Sequence, residues 1–287
     1  MRDVTTPDGR TLRLHDAGAA DGPLVLVQQG TPMSGLLFEP HVRDAEQRGI
    51  RLVGYDRPGY GRSTTAPGRS VADAAADVRA IADALQVERL AVWGISGGGP
   101  HALACAALLP DRVAAVASLA SVAPMDAADL DWFGGMGQTN LNEFGAAVDG
   151  REALEEYLGP RATHQVTAEG LLEGLQSLLT DVDAAVLTGD LGRYLAESMQ
   201  DAGREGIDGW RDDDLSFAKP WGFSLDDIRV PVQLWHGEQD LFVPFAHGRW
   251  LADRIPNVDA RLSAEDGHMT LMQRRIPEVH AWLLERL

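Results

Sequence analysis

The pentapeptide Gly94-Ile95-Ser96-Gly97-Gly98 has the residue types and spacing of a nucleophilic serine. It follows an apolar segment at 90–95 and precedes a segment of helical composition, which predicts a sharp strand-to-helix turn. A serine on such a turn is held in a strained backbone conformation with its hydroxyl exposed. The free N–H groups of the following helix suit a developing oxyanion. We therefore predict Ser96 as the nucleophile and the Gly97 N–H as an oxyanion donor.

A serine hydroxyl needs a base, and the sequence offers eight histidines. His268 lies in a loop just past the last predicted strand, where catalytic groups of open α/β sheets gather. His247 and His280 fall within predicted helices, and His236 ends a strand that precedes the acid in the chain. These three are interpreted as packing, surface or structural residues. The sequence therefore predicts His268 as the base.

The base needs an orienting acid, which in this chain order comes between the serine and the histidine. Asp240 follows the end of an apolar strand at 232–235, in the segment Gly237-Glu238-Gln239-Asp240. Glu238 is the nearest alternative, and Asp266 is too close to His268 in sequence to reach the far ring nitrogen easily. We predict Asp240 as the third member of the catalytic set.

Short apolar segments bounded by glycine, proline or charge predict the strands that would position these residues. They lie at 24–27, 51–55, 90–95, 113–119, 232–235 and 260–263, with an extended N-terminal segment at 11–15. Helical periodicity occurs between most of them, for example from Ser70 to Leu85. Alternation of this kind predicts an α/β fold with a parallel sheet and helices on both sides.

The alternation stops between residues 125 and 224, where only helical periodicity and loops are found. This block carries 20 acidic and 6 basic residues and nine of the 18 aromatic residues. An acidic exterior over an aromatic interior fits a helical lid inserted into the core, but also a subdomain whose aromatics form its own core. If it is a lid, we expect a substrate pocket formed by the aromatics nearest the sheet: Trp132, Phe133, Phe144, Trp221 and Phe223.

Together with Asp56–Ser63 after the second buried strand, these motifs make the chain resemble the α/β-hydrolase superfamily, in its lid-bearing esterase and epoxide-hydrolase-like branch. The resemblance implies a mostly parallel eight-stranded sheet with helices on both faces. The core would comprise residues 1–124 and 225–287, and residues 125–224 would be the lid. No cofactor and no metal are implied.

One loop departs from the family pattern. The sequence Gln29-Gly30-Thr31-Pro32 stands where the family commonly reads His-Gly-x-Pro. By resemblance, the backbone N–H of Thr31 is the second oxyanion donor. Because this donor belongs to the backbone, Gln29 need not abolish the oxyanion hole, although it changes the side chain that organises the loop.

A serine nucleophile in this branch implies acyl transfer to water. The favoured substrate is an ester, lactone or thioester of a neutral, fairly apolar small molecule. Prolyl aminopeptidases, carbon–carbon bond hydrolases and cofactor-free haloperoxidases share the triad and remain alternatives. A non-catalytic ligand-binding role is the alternative of another class. The glycines at 97 and 99 also fit a dinucleotide loop, but that motif belongs to the first strand–helix turn of its fold.

Composition excludes several other classes. The net charge is −18, so a nucleic-acid or anionic-membrane partner is not expected. Cys105 is the single cysteine, which rules out an intrachain disulfide. The N-terminal residues contain no apolar signal segment, and the apolar segments are too short to span a membrane. We expect a cytoplasmic protein that is a monomer or homodimer and acts on a small molecule.

Overall fold

The computed structural model describes residues 1–162 and 167–287, and within them eight strands form one sheet in the order β1-β2-β4-β3-β5-β6-β7-β8. The strands are β1 (Arg2–Thr5), β2 (Thr11–Gly18), β3 (Leu24–Gln28), β4 (Arg51–Tyr55), β5 (Leu90–Ile95), β6 (Val113–Leu119), β7 (Val232–Gly237) and β8 (Val258–Ser263). The β1–β2 and β2–β4 pairs are antiparallel, and the pairs from β4 to β8 are parallel. The predicted mostly parallel sheet is confirmed.

Helices of the core pack against both faces of the sheet. The core helices are α1 (Glu39–Gln47), α2 (Ala74–Ala84), α3 (Gly98–Leu108), α10 (Phe245–Ala252), α11 (His268–Arg274) and α12 (Ile276–Leu284). Helix α3 packs on β5 and β6 together with α2, and α12 packs on the same strands together with α1. Because β5 and β6 are buried at every position, these two pairs of helices cover opposite faces of the sheet, as predicted from the strand–helix alternation.

The centre of the sheet is built from the most apolar segments. Strands β3, β5 and β6 are buried at every position. Side chains of a parallel strand face packed helices on both sides, which explains why these segments are continuously apolar rather than alternating. Strand β5 lies between β3 and β6, so the turn that follows β5 lies near the middle of the sheet edge.

Between β6 and β7, the regular secondary structure of the described residues consists of helices joined by loops. We refer to α4–α9, residues 138–217, as the helical insertion. Its helices are α4 (Gln138–Asp149), α5 (Arg151–Ala162), α6 (Ala168–Gly174), α7 (Asp181–Val186), α8 (Asp190–Ala202) and α9 (Asp208–Phe217). No helix in residues 1–162 and 167–287 is both long and apolar enough to cross a membrane.

Candidate active site

Ser96 occupies the turn between β5 and α3 with a φ of 54°. This left-handed conformation is strained for a residue with a Cβ. It requires close backbone approach on both sides: a Cβ on Gly94 would collide with the carbonyl oxygen of Gly98, and a Cβ on Gly98 with that of Gln28. The geometry explains the Gly-x-Ser-x-Gly spacing sterically, and the Ser96 side chain borders a cavity.

His268 begins helix α11, and its ring is oriented by Asp240. The His268 Nδ1 lies 2.7 Å from Asp240 Oδ2, with both side chains buried. The other carboxylate oxygen of Asp240 accepts the backbone N–H groups of Phe242 and Val243, each at 2.8 Å. Burial alone would lower the pKa of His268, but the Asp240 carboxylate outweighs it and raises that pKa above its usual 6.5. The structure thus brings together the predicted base and acid.

The remaining downstream histidines have structural partners. His247 Nε2 lies 2.8 Å from the carbonyl oxygen of Trp132, and its Nδ1 accepts the Ala123 N–H at 3.0 Å. His236 Nε2 lies 2.8 Å from the Val243 carbonyl oxygen. His280 is buried, with Nδ1 2.8 Å from a carboxylate oxygen of Asp44. Their positions agree with the interpretation of these residues as packing or structural groups.

The alternative acids are placed elsewhere. Glu238 is exposed. Asp266 is buried, but its Oδ2 accepts hydrogen bonds from the Ser263 hydroxyl at 2.7 Å and from Arg275 Nε at 2.8 Å. Asp240 is therefore the carboxylate that contacts the His268 ring.

The two predicted oxyanion donors lie side by side. A Cβ on Gly97 would collide with the Thr31 hydroxyl. Across the described residues, neither the Thr31 N–H nor the Gly97 N–H donates to a backbone or side-chain acceptor. The Gln29 side chain donates from Nε2 to the Leu36 carbonyl oxygen at 2.8 Å. The glutamine thus ties its own loop to the segment that follows, so the departure from the family pattern leaves the loop anchored.

Sequence reasoning missed Asp213, a residue of α9 that is fully buried against the loop of Thr31. Its Oδ2 accepts hydrogen bonds from the Thr31 hydroxyl at 2.7 Å, from Arg57 Nη2 at 2.6 Å and from the Tyr60 hydroxyl at 2.8 Å. Its Oδ1 accepts one from Arg69 Nη1 at 2.6 Å. Burial by itself raises a carboxyl pKa, but the two guanidinium groups hold that of Asp213 far below its usual value. The insertion is therefore ion-paired to the core beside Thr31.

Asp183, in α7, was also missed, and it fastens the insertion to the other half of the site. Its carboxylate accepts the backbone N–H groups of His268, Met269 and Thr270 at 2.8 to 3.0 Å. These are the orphan donors at the start of α11, which a carboxylate satisfies well. The insertion thus holds the backbone of His268, the predicted base.

These two aspartates correct the expectation of an acidic exterior. Five acids of the insertion are buried: Glu143, Asp183, Asp212, Asp213 and Asp214. Part of the negative charge that the composition placed on a solvated surface is therefore used inside the molecule. No sequence signal distinguishes these acids from their exposed neighbours, because their partners are far away along the chain.

A cavity of about 1230 Å³ lies between the core and the insertion, with Ser96, Gly97 and Thr31 in its wall. Phe144, one of the five predicted pocket aromatics, borders this cavity. The aromatic residues of the wall that prediction missed are Tyr60, Trp210, Phe217 and Phe242. Phe242 also stacks on the His268 ring, with centroids 4.5 Å apart.

Four predicted pocket aromatics lie outside this wall, which corrects that expectation. Trp132 donates its indole N–H to the Ala123 carbonyl oxygen at 2.8 Å, and Phe133 packs edge-on against Trp132. Trp221 and Phe223 stack on each other, and the Trp221 carbonyl oxygen accepts the Ala72 N–H at 2.9 Å. The segment that returns to the sheet thus packs beside the start of α2 and does not border the cavity that contains Ser96.

Within the part of the chain that is described, one group of side chains has the spacing of metal ligands: His15, Asp56 and Asp201. His15 Nε2 lies 2.9 Å from an Asp56 oxygen, and the Asp56 carboxylate also accepts the backbone N–H groups of Gly35 and Arg62. These hydrogen bonds give the Asp56 carboxylate a structural role in supporting the segment after β4.

The chain is similar to proteins of known family. A family model described as alpha/beta hydrolase fold matches residues 23–274. A bifunctional esterase/perhydrolase of Acinetobacter calcoaceticus is 28% identical over 261 residues, covering 88% of each chain. A non-heme chloroperoxidase of Streptomyces lividans is 29% identical over 251 residues, covering 86% of this chain and 84% of the relative.

A thermophilic esterase from Thermogutta terrifontis superposes with a TM-score of 0.71 at 20% identity, covering 99% of this chain and 98% of the esterase. At that identity the likeness shows the fold alone. The family model, in contrast, matches most of the sequence, and residues 23–274 include Ser96, Asp240 and His268. The chain therefore belongs to the α/β-hydrolase superfamily.

Proposed function

We propose that this protein is a serine hydrolase that cleaves an ester, lactone or thioester of a small molecule through an acyl-enzyme. The observation that carries the proposal is the strained backbone of Ser96, at a φ of 54° in the wall of a large cavity. A chain bears such strain at a functional site when the surrounding structure fixes it. The names of the relatives, an esterase/perhydrolase among them, support a hydrolase.

The residues have distinct roles in the proposed reaction. The Ser96 oxygen attacks the substrate carbonyl carbon while His268 takes the hydroxyl proton, and the carbonyl oxygen becomes an oxyanion that accepts from the Thr31 and Gly97 N–H groups. The carbon–oxygen or carbon–sulfur bond to the leaving group then breaks, and the leaving group takes the proton from His268. Water repeats these steps on the acyl-enzyme and releases the acid. Asp240 holds the His268 ring and stabilises its cationic form.

We propose further that residues 125–224 act as a lid over this site, on a core formed by residues 1–124 and 225–287. Support comes from the cavity wall, which combines core residues such as Ser96 with Phe144 and Phe217 of the insertion. A closed lid excludes water and strengthens the contacts of the oxyanion. Asp183 and Asp213 give such a lid fixed attachment points next to the base and the oxyanion loop.

The test uses a fluorophosphonate probe and a panel of esters of varied acyl length. Wild-type protein is expected to label at Ser96, and the Ser96→Ala variant to lose about 10⁴ to 10⁶ in kcat while remaining folded. Activity of the wild type should also fall at acid pH, as His268 takes a proton with a raised pKa. Folded wild-type protein that neither labels nor hydrolyses any ester would instead be a non-catalytic ligand-binding protein.

A further inference from the structure

Two carboxyl groups of the cavity wall lack a cationic partner. Glu143 of α4 and Asp214 of α9 both border the cavity that contains Ser96, and they are 8% and 0% exposed. The Trp210 indole N–H donates to one oxygen of Glu143 at 2.9 Å. In the described structure neither oxygen of Asp214 accepts a hydrogen bond from a donor group, and its carboxyl neighbour is Glu143. Apart from the Trp210 N–H, no described residue outside the pair donates a hydrogen bond to these two buried carboxyl groups.

Such a pair cannot carry two negative charges by itself. Burial raises the pKa of both Glu143 and Asp214, and the charge of Glu143 raises that of Asp214 further. Two arginine charges act on the pair without forming an ion pair with it in the described structure. Arg69, which lowers the pKa of Asp214, is ion-paired to Asp213 at 2.6 Å, and Arg161, which lowers that of Glu143, stacks on the Tyr157 ring, 3.6 Å from its centroid. A cation that entered the cavity would supply the charge and the N–H donors that the chain leaves out.

The rest of the cavity wall has the same sign of charge. Besides Glu143 and Asp214, it contains Glu173, Glu197 and Asp201, against the two basic residues Arg161 and Arg204. Arg204 is itself ion-paired to Asp201 at 2.8 Å. A concave surface with this balance concentrates cations and repels anions.

We propose that Glu143 and Asp214 form a subsite for a basic nitrogen of the substrate, a protonated amine carried on either half of the ester. Glu143, which keeps some exposure to the cavity, contacts the ammonium group, and Asp214 behind it adds negative charge. This inference rests on the proposed serine hydrolase function. It replaces the neutral substrate expected from the sequence with one that has an apolar body and a cationic end.

The decisive comparison uses pairs of esters that differ by one atom. Dimethylaminoethyl butanoate and isopentyl butanoate have the same shape, with a protonated nitrogen in the first where the second has a CH group. Ethyl dimethylaminobutanoate and its carbon isostere place the same change in the acyl half. Wild-type protein is expected to prefer the amine in at least one pair by roughly tenfold to a hundredfold in kcat/KM, the size of one hydrogen bond to a charged group.

Two variants locate the preference, and a third controls for charge. Glu143→Gln keeps the acceptor for Trp210 and Asp214→Asn keeps the side-chain shape, and each should bring the ratio of kcat/KM for amine over isostere close to one. Glu152→Gln removes the same charge from an exposed position of α5 outside the cavity wall, and should keep the wild-type ratio. Thermal melts establish whether the three variants are folded. The ratio of kcat/KM for amine over isostere is also measured on wild-type protein, so the subsite is tested even where a variant does not fold.

The outcomes separate this inference from the proposed function. If wild type labels at Ser96 and hydrolyses the neutral esters but shows no preference for the amine in either pair, the subsite is wrong and the hydrolase proposal stands. A preference that survives in both Glu143→Gln and Asp214→Asn also overturns it. If no ester is hydrolysed and Ser96 does not label, both proposals fall.

Discussion

Helix α9 presents two consecutive buried aspartates to different surroundings. Asp213 is turned to the core, where two guanidinium groups, a tyrosine hydroxyl and a threonine hydroxyl surround its carboxylate. Asp214 is turned to the cavity side, where its carboxyl neighbour is Glu143 and no donor reaches it among the described residues. Both side chains are 0% exposed.

The contrast shows that burial alone does not determine the role of an acid. Asp213 has a lowered pKa and is a charged structural link between the insertion and the loop of Thr31. Asp214 has a pKa raised well above its usual value, and its ionisation is unfavourable until a cation arrives. We infer that the first holds the site together and that the second is available to a ligand.

The largest expected effect is on Asp213. Replacing it with asparagine leaves the Arg57 and Arg69 guanidiniums buried without their carboxylate, and breaking a buried ion pair in this way costs about 3–5 kcal/mol. We expect the free energy of unfolding, measured by denaturant titration, to fall by that amount. Asp190→Asn is the matched control, because the Asp190–Arg193 pair is exposed. If the free energy of unfolding fell by less than about 1 kcal/mol, Asp213 would not be the ion pair that links the insertion to the core.

Replacing Asp214 with asparagine should have the opposite effect on the free energy of unfolding. Asp214→Asn removes a buried carboxyl group without donors, and its new amide can donate to Glu143. Since an unsatisfied buried polar group carries a penalty of about 1–3 kcal/mol, we expect an increase in the free energy of unfolding of up to that size at pH 7. Destabilisation comparable to that of Asp213→Asn would mean that Asp214 has a structural partner.

Phe144 sharpens the comparison on the cavity side. It follows Glu143 in the chain and borders the cavity, so truncation removes apolar contact with the substrate body. Phe144→Ala should raise KM for long-chain esters by about tenfold, with little change for acetate esters. Phe223→Ala is the control, since Phe223 stacks on Trp221 outside the wall. Equal effects of the two truncations would mean that Phe144 does not contact the substrate.

The last expected difference is in the pH dependence of the free energy of unfolding. Asp213 has a lowered pKa, so the stability it contributes is present above the unfolded value of 3.8 and is lost as pH falls through the folded value. Asp214 has a raised pKa, so wild-type stability is lost as pH rises from 3.8 toward the folded value. Between pH 5 and 7 the deficit of Asp213→Asn should stay constant, and the advantage of Asp214→Asn should grow by at most about 1.4 kcal/mol per pH unit. If the stabilities of the two variants, relative to wild type, changed with pH in the same way, the contrast between Asp213 and Asp214 would be wrong.

The sequence predicted the parts of the molecule whose causes are local. The apolar segments gave the strands, and the glycines around Ser96 gave its turn, because a strained turn restricts its own neighbours. Strand ends and chain order then selected Asp240 and His268, and in the structure Asp240 Oδ2 lies 2.7 Å from His268 Nδ1. Helix boundaries shifted by a few residues, since caps and fraying are decided by fine geometry.

The tertiary structure decided what each residue of the helical insertion contacts. Composition placed acids outside and aromatics over the site, but Asp183 and Asp213 point inward and Trp132 and Trp221 pack elsewhere. Helical periodicity reports which residues share a face, but not which surface that face meets. Asp213 meets Thr31 across 182 residues and Arg69 across 144. Contacts at such separations are set by how the insertion docks on the sheet, so the docked fold alone separates the acid that fastens the site from the acid that faces its ligand.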